Sequence, residues 1–209
     1  TVKAQSNFSK RPKSKKQSSS SAGEIRIISG QWKGRRLKVH DKDGLRPTTD
    51  RLKETIFNWL MMDIRDKNVL DCFAGAGALG FEAMSRGANS LLCIEKDRLA
   101  AKQLKANCDV LNANTQIAIK QGDFFAQIKH ISEQFDLVFI DPPFHKDMAS
   151  KCIGRLLAEN VLANDALVYL EHESNSEFDV MQSDYANNFE LIKEKIAGQV
   201  LAQLFRKTS

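Results

Sequence analysis

Cysteine is scarce in this chain of 209 residues, and the four present do not group. They stand at 72, 93, 108 and 152, with no C-x-x-C pair and no histidine at metal-ligand spacing, so neither a disulfide framework nor a zinc site is expected. Cys72 and Cys93 fall inside apolar runs, where a small buried thiol is ordinary packing. No apolar run approaches the ~20 residues of a membrane span, and the first residues lack the apolar segment of a secretory leader. These absences predict a cytoplasmic chain in reducing surroundings, with no membrane partner. No internal repeat is present. Prolines number four, and two of them are adjacent, at 142 and 143.

Acidic residues are missing from the start of the chain. Residues 1–23 carry six Lys/Arg and no Asp or Glu, and the first 53 residues together hold a net +11. The rest of the chain is mildly acidic, so the formal net charge is +5. A basic arm on an acidic body suits a polyanionic partner, and a solubilising tail is the plainer alternative. Residues 1–23, rich in Ser, Lys and Gln, cannot bury enough surface to offset chain entropy and are expected to be disordered when free. One domain is expected from 24 to 209.

That domain opens with a small β-hairpin over 24–30 and 35–40, turning at Gln31–Gly34. Thr49 or Asp50 caps a helix whose apolar face reads Leu52, Ile56, Phe57, Leu60 and Met61. Strands are expected at 68–73, 90–95, 115–120, 135–140 and 166–171, and helices at 78–87, 97–111, 123–131 and 147–159. Two last β-runs, 188–196 and 198–206, meet at Ala197–Gly198. Alternating strands and helices imply an α/β fold: a mostly parallel seven-stranded sheet with helices on both faces, closed by an antiparallel hairpin.

Gly75, Gly77 and Gly80 match G-x-G-x-x-G after the first strand of that sheet. Such glycines let the backbone turn sharply and let a ligand lie against bare amides. Glu95 follows at the end of the next strand, where a carboxylate accepts from both hydroxyls of a ribose. This geometry suits NAD and S-adenosylmethionine alike. Asp71, just before the loop, is poorly placed for a pyrophosphate and better placed for the cationic amino-acid part of S-adenosylmethionine. Asp123 and Phe124 follow the third strand; they suit an adenine amino group and ring, although Asp123 also reads as a helix cap.

Asp141-Pro-Pro-Phe144 follows the apolar run 135–140. An amino group on a nucleobase is a poor nucleophile because its lone pair is delocalised into the ring. Two acceptors, the Asp141 carboxylate and the Pro142 carbonyl, would each take one N–H and aim the lone pair at an incoming methyl carbon. Pro142 and Pro143 fix φ and stiffen the loop. Phe144 offers a stacking face worth ~1–3 kcal/mol. The base must be unpaired or flipped to enter. Lys33, Arg35, Arg36 and Lys38, with Arg46, are candidate phosphate contacts. Trp32 either stacks or anchors the hairpin. His145 is the only histidine near this chemistry.

Three segments carry a family likeness: Arg46-Pro-Thr-Thr-Asp-Arg-Leu-Lys-Glu-Thr-Ile-Phe-Asn58, Asp71-Cys-Phe-Ala-Gly-Ala-Gly-Ala-Leu-Gly-Phe-Glu-Ala83 and Asp141-Pro-Pro-Phe144. Over residues 24–206 the chain resembles the bacterial small-subunit rRNA guanine-N2 methyltransferases, the RsmD-type enzymes. The resemblance implies a Rossmann-like class I methyltransferase fold. It implies S-adenosylmethionine as donor, S-adenosylhomocysteine as product and no metal. It also implies one guanine of 16S rRNA as target, in the assembling or assembled small subunit, with the enzyme a monomer. By position Asp71, Phe73 and the Gly75–Gly80 loop would hold the methionine part, Glu95 the ribose, and Asp123 with Phe124 the adenine. Arg46 and Thr48 would help close the site over the cofactor, and Asp141, Pro142, Pro143 and Phe144 would hold the base. The competing readings are adenine-N6 methylation of RNA or DNA, methylation of a protein glutamine, a NAD-dependent oxidoreductase and a non-catalytic assembly protein.

Overall fold

The computed structural model describes residues 23–40, 48–144 and 147–209. The expectations for the tail up to residue 22, for Arg46 and for His145 fall outside them.

The opening hairpin is shorter than its sequence pattern. β1 (Glu24–Arg26) pairs antiparallel with β2 (Arg36–Lys38), with Ile25 opposite Leu37. Ile27 still exchanges bonds with the opposite arm, donating to the Arg35 carbonyl at 2.9 Å and accepting from Gly34 at 2.8 Å, and then the chain turns away: the N–H groups of Ile28 and Ser29 donate to the Glu82 carboxylate at 2.9 and 3.0 Å. Gly30 then passes so close to helix α2 (Ala78–Ser85) that a Cβ on it would lie 1.9 Å from the Ser85 carbonyl oxygen. Its φ of +86° also favours glycine.

Helix α1 (Asp50–Trp59) is capped by Thr49, whose Oγ accepts from the Leu52 N–H at 3.1 Å. Leu52, Ile56, Phe57 and Leu60 are buried as expected, but Met61 is 68 % exposed. The helix ends at Trp59, so Met61 no longer follows the helical face on which the spacing had placed it.

The main sheet has seven strands in the order β5-β4-β3-β6-β7-β9-β8. These are β3 (Asn68–Asp71), β4 (Ser90–Glu95), β5 (Ile117–Gln121), β6 (Phe135–Ile140), β7 (Leu162–Glu173), β8 (Phe189–Ala197) and β9 (Val200–Lys207). β5, β4, β3, β6 and β7 pair in parallel, and β9 runs antiparallel to both β7 and β8. The β8–β9 turn is two residues, with Gly198 at φ +62°. β7 starts four residues before its apolar run, at Leu162, because Phe135 pairs with Leu162 across a register shift. The helix expected at 123–131 tightens after four residues, α4 (Phe124–Gln127), into a 3-10 turn.

Side chains of the central strands alternate between two apolar layers. Val69, Leu91, Cys93, Leu137, Phe139 and Tyr169 meet α1, α2 (Ala78–Ser85) and α3 (Arg98–Val110). Leu70, Leu92, Ile94, Val138, Ile140 and Leu170 meet α4 and α5 (Met148–Ala158). The four cysteines are free and buried. Among the described residues no helix is long and apolar enough to cross a membrane.

Glu82 is fully buried in the middle of α2. Besides the two N–H groups it meets Lys53 of α1 at 3.5 Å and Arg86 at 2.9 Å. Burial pulls the Lys53 ammonium below its ordinary range, against the raising pull of Glu82. Lys53 also donates to the Arg26 carbonyl at 2.7 Å, so the cluster ties the N-terminal segment to both α1 and α2. Removing one member leaves buried charge uncompensated, which costs roughly 3–5 kcal/mol. Glu82→Ala is therefore expected to lower the urea midpoint by an amount equivalent to about 3 kcal/mol or more. An unchanged midpoint would mean that the cluster contributes nothing to stability.

Candidate functional site

The strand order reverses direction between β3 and β6, which leaves a crevice beyond their carboxyl ends. The predicted site residues converge there. Asp71 ends β3, Glu95 ends β4, Asp123 follows β5 and Asp141 follows β6.

Asp71 is buried, with the backbone N–H groups of Phe73 and Gly80 holding its carboxylate. Desolvation outweighs those bonds, and with the nearby Glu95 it pushes the Asp71 carboxyl up to about 7. Glu95 is half-buried and accepts from the N–H groups of Gly75 and Asp97, both at 2.7 Å. These bonds fix the carboxylate at the mouth of the glycine loop and leave further lone pairs for a ligand.

The three glycines do different things. A Cβ on Gly77 would meet Phe81 at 2.5 Å, and one on Gly80 would meet Leu91 at 2.8 Å. Gly80 is thus demanded by packing of α2 on β4, and Gly77 by its φ of +83° and by Phe81 and Leu104 around it. A Cβ on Gly75 would meet nothing within 4 Å. Of the three, Gly75 alone faces open space.

Asp123 caps α4, accepting from the Phe125 N–H at 3.1 Å, and its other oxygen lies 4.0 Å from Lys96. The cap reading is thus realised, and the outer oxygen remains accessible. Phe124 departs from expectation. It is 2 % exposed, packed at 5.2 Å against Phe73 and at 5.1 Å against Phe125. The spacing of the short helix turns it into the core, and Phe73 is the ring of the pair that keeps accessible surface.

Asp141 sits beside Glu171, because Ile140 pairs with Leu170 in parallel register. Burial first, and then the Glu171 and Asp71 carboxylates, hold the Asp141 carboxyl well above its ordinary range. Glu171 is itself raised by burial, although the Tyr169 hydroxyl donates to it at 3.0 Å. Pro142 is buried, Pro143 is exposed and Phe144 is 40 % exposed. Glu171 and Tyr169 were missed by the sequence reading. The available signal was an acid directly after the apolar run 166–170, in a strand flanked on both edges.

Lys33, Arg35, Arg36 and Lys38 are exposed on the hairpin. Arg35 donates to the Val110 carbonyl at 3.2 Å, and Arg36 lies 3.7 Å from Glu24. The Lys38 carbonyl accepts from Asn107 at 2.9 Å, and the following residues, Val39 and His40, line a crevice with Gly75 and Ala76. Trp32 is partly buried against the core, which is the anchoring alternative. Thr48 is half-buried next to the α1 cap. Among the described residues no cluster of His, Cys, Asp or Glu forms a metal site.

A family profile described as "Conserved hypothetical protein 95" matches residues 25–206. The chain belongs to this family. It is 43 % identical over 195 residues to the Ribosomal RNA small subunit methyltransferase D of Escherichia coli K12, spanning 92 % of this chain and 95 % of that protein. It is 43 % identical over 194 residues to the protein of the same name from Haemophilus influenzae, spanning 91 % and 97 %. The solved structure of the putative methyltransferase yhhF from Escherichia coli superposes with a TM-score of 0.79 at 39 % identity, covering 89 % of this chain and 99 % of that one. The family fold is thus the Rossmann-like class I methyltransferase fold, with a small antiparallel extension at its N-terminus.

Asp71 makes this site pH-sensitive when empty. An acid whose folded pKa is raised binds its proton more tightly in the native state. Its stabilising share is therefore full below about pH 4 and is lost as pH rises towards about 7. Asp71→Asn should flatten that slope and leave the ligand-free protein about 2–4 kcal/mol more stable than wild type at pH 8. Urea unfolding at pH 4.5 to 8 measures it, and equal slopes would remove the buried-acid assignment.

Proposed function

We propose that this protein is an S-adenosylmethionine-dependent rRNA methyltransferase. Its target is the exocyclic N2 amino group of a guanine in 16S rRNA of the small ribosomal subunit. The observation that carries the reading is the set of buried carboxyls at the ends of adjacent strands, Asp71, Asp141 and Glu171, beside a glycine loop with one open position. Such a set repels a pyrophosphate and favours a cofactor bearing a sulfonium and an ammonium, which disfavours a dinucleotide. The names of the family's relatives supply the rRNA substrate class.

The residues fit that cofactor. Asp71 and Phe73, with the loop of Gly75, Gly77 and Gly80, take its amino-acid part. Glu95, already fixed by two backbone bonds, takes the ribose hydroxyls. Asp123 offers its outer oxygen to the adenine amino group, and Phe124 supports the ring from the core through Phe73. Thr48, beside the α1 cap, helps close over it. When bound, S-adenosylmethionine supplies an electrophilic methyl group on sulfur and leaves as S-adenosylhomocysteine.

The chain's own work is alignment. The Asp141 carboxylate and the Pro142 carbonyl each accept one N–H of the amino group, which turns its lone pair towards the cofactor side of the crevice. Pro143 stiffens the loop, and Phe144 stacks on the base. The amino group loses a proton as the N–C bond forms; Asp141 in its carboxylate form, made a stronger base by its buried surroundings, accepts it. Lys33, Arg35, Arg36 and Lys38 contact phosphates, and the hairpin hands the RNA towards the glycine loop.

Asp141→Ala should lower methyl transfer to unmodified small subunits by at least about 100-fold, while calorimetry finds affinity for S-adenosylmethionine within a few-fold of wild type. Retained turnover would remove the amine-pocket assignment. Label recovered from radioactive S-adenosylmethionine as N2-methylguanine in the rRNA tests the target atom, and label in adenine, DNA or protein would overturn it.

A further inference from the structure

Glu171 is buried beside Asp141, yet neither the cofactor nor the amino group accounts for it. Its place follows from the sheet. Tyr169 packs in the apolar layer on the side of α1 and α2, edge-on to Phe139 with ring centroids 6.1 Å apart, and Phe139 in turn meets Phe57 of α1. Residues two apart on a strand share a face, so Glu171 follows Tyr169 on this side and Asp141 follows Phe139. Phe139 pairs with Tyr169 and Ile140 with Leu170, so the next step of the same register sets Glu171 opposite Asp141. On its other flank Glu171 faces Ala202 of β9, which brings no hydrogen-bonding side chain.

Glu171 is 6 % exposed, and its two oxygens differ. The Tyr169 hydroxyl donates to Oε2 at 3.0 Å. That bond fixes the carboxylate and favours its ionised form. Oε1 meets no donor among the described residues, yet it is not a sealed atom. Among those residues the buried side-chain nitrogen or oxygen without a partner is Nδ1 of His172, so Oε1 keeps accessible surface. The Asp141 carboxylate, half-buried, likewise meets no donor among the described residues; only burial and neighbouring acids act on it. Two acceptors that no protein donor satisfies thus stand side by side, and one of them holds the amino group.

We propose that Glu171, oriented by Tyr169, accepts the N1–H of the target guanine while Asp141 and the Pro142 carbonyl hold its N2 amino group. The inference rests on the guanine reading above and deepens it. Guanine is the base in which a ring N–H adjoins the amino group. In adenine and cytosine the ring nitrogen next to the amino group carries a lone pair instead, which a carboxylate oxygen repels. The paired acceptors therefore take guanine and reject the other two amino-bearing bases, because a buried acceptor would be left unpaired. Tyr169, fully buried, is a positioning residue: it touches no substrate and sets which Glu171 oxygen faces the crevice.

The test uses the full chain, S-adenosylhomocysteine and fluorescent single-stranded RNA pentamers of uridine with either guanine or 2-aminopurine at the centre. The second base keeps the 2-amino group but has a lone pair on N1. Binding is read by fluorescence anisotropy. Wild type should bind the guanine pentamer about ten-fold tighter. In Glu171→Gln the Tyr169 hydroxyl takes the amide carbonyl and turns the NH2 group into the crevice, so a donor replaces the acceptor facing N1. The guanine preference should then vanish or reverse. Should that variant not fold, Tyr169→Phe replaces it; it frees the carboxylate to turn and should lower the ratio to about three or less. Equal affinities in wild type, or a ratio unchanged in either variant, would overturn the role of Glu171. Because binding is read without methyl transfer, the two proposals fail separately. A Glu171-dependent preference in a protein that leaves rRNA guanine unmethylated would sink the target assignment alone. N2-methylguanine formed in rRNA with no such preference would sink the Glu171 assignment alone.

Discussion

The Glu82 carboxylate, sealed between α1 and α2, receives two backbone N–H groups from residues 28 and 29, an ammonium from Lys53 and a guanidinium from Arg86. Arg86 also lies over the Phe57 ring at 4.9 Å, so the charge cluster and the apolar layer interlock. Because a buried carboxylate must keep its partners, the N-terminal segment has one way to lie on the domain. That placement carries residues 38–40 across to the glycine loop. The basic hairpin is thus set against the crevice by a contact that lies outside the crevice.

Opposite logic governs the crevice. There the carboxyls of Asp71, Asp141 and Glu171 crowd one another with few cationic partners, and all are pushed upward. One buried acid is fully satisfied and stabilising, while three others are held in tension at the strand ends. Acids raised together in one crevice are the physical mark of a candidate site.

Much of this was legible in the sequence because the strands are buried on both faces and so appear as short apolar runs punctuated by glycine. All five parallel strands, the closing hairpin, and the acids at the strand ends follow from that pattern. What was not legible depends on local endings. Met61 was misplaced because nothing in the spacing says that the helix stops at Trp59. Phe124 was given a ligand-facing role because a four-residue helix sets its direction, and so short a helix has no period to read. That Glu171 lies beside Asp141 came from the register of β6 with β7, a long-range fact.

The crevice also lies at the most non-local joint of the sheet. β8 and β9 meet across two residues, whereas β3 meets β6 across most of a hundred, and the bond from Asn68 to Asp136 spans 68 positions. Contacts of such separation close late, after the local hairpins and helices that shorten the intervening loop. The pairing that brings Asp71 beside Asp141 is therefore the one with the greatest loop-closure cost in the sheet. A competent site needs that least local joint as well as the helices and hairpins, so the site is complete only when the whole sheet is.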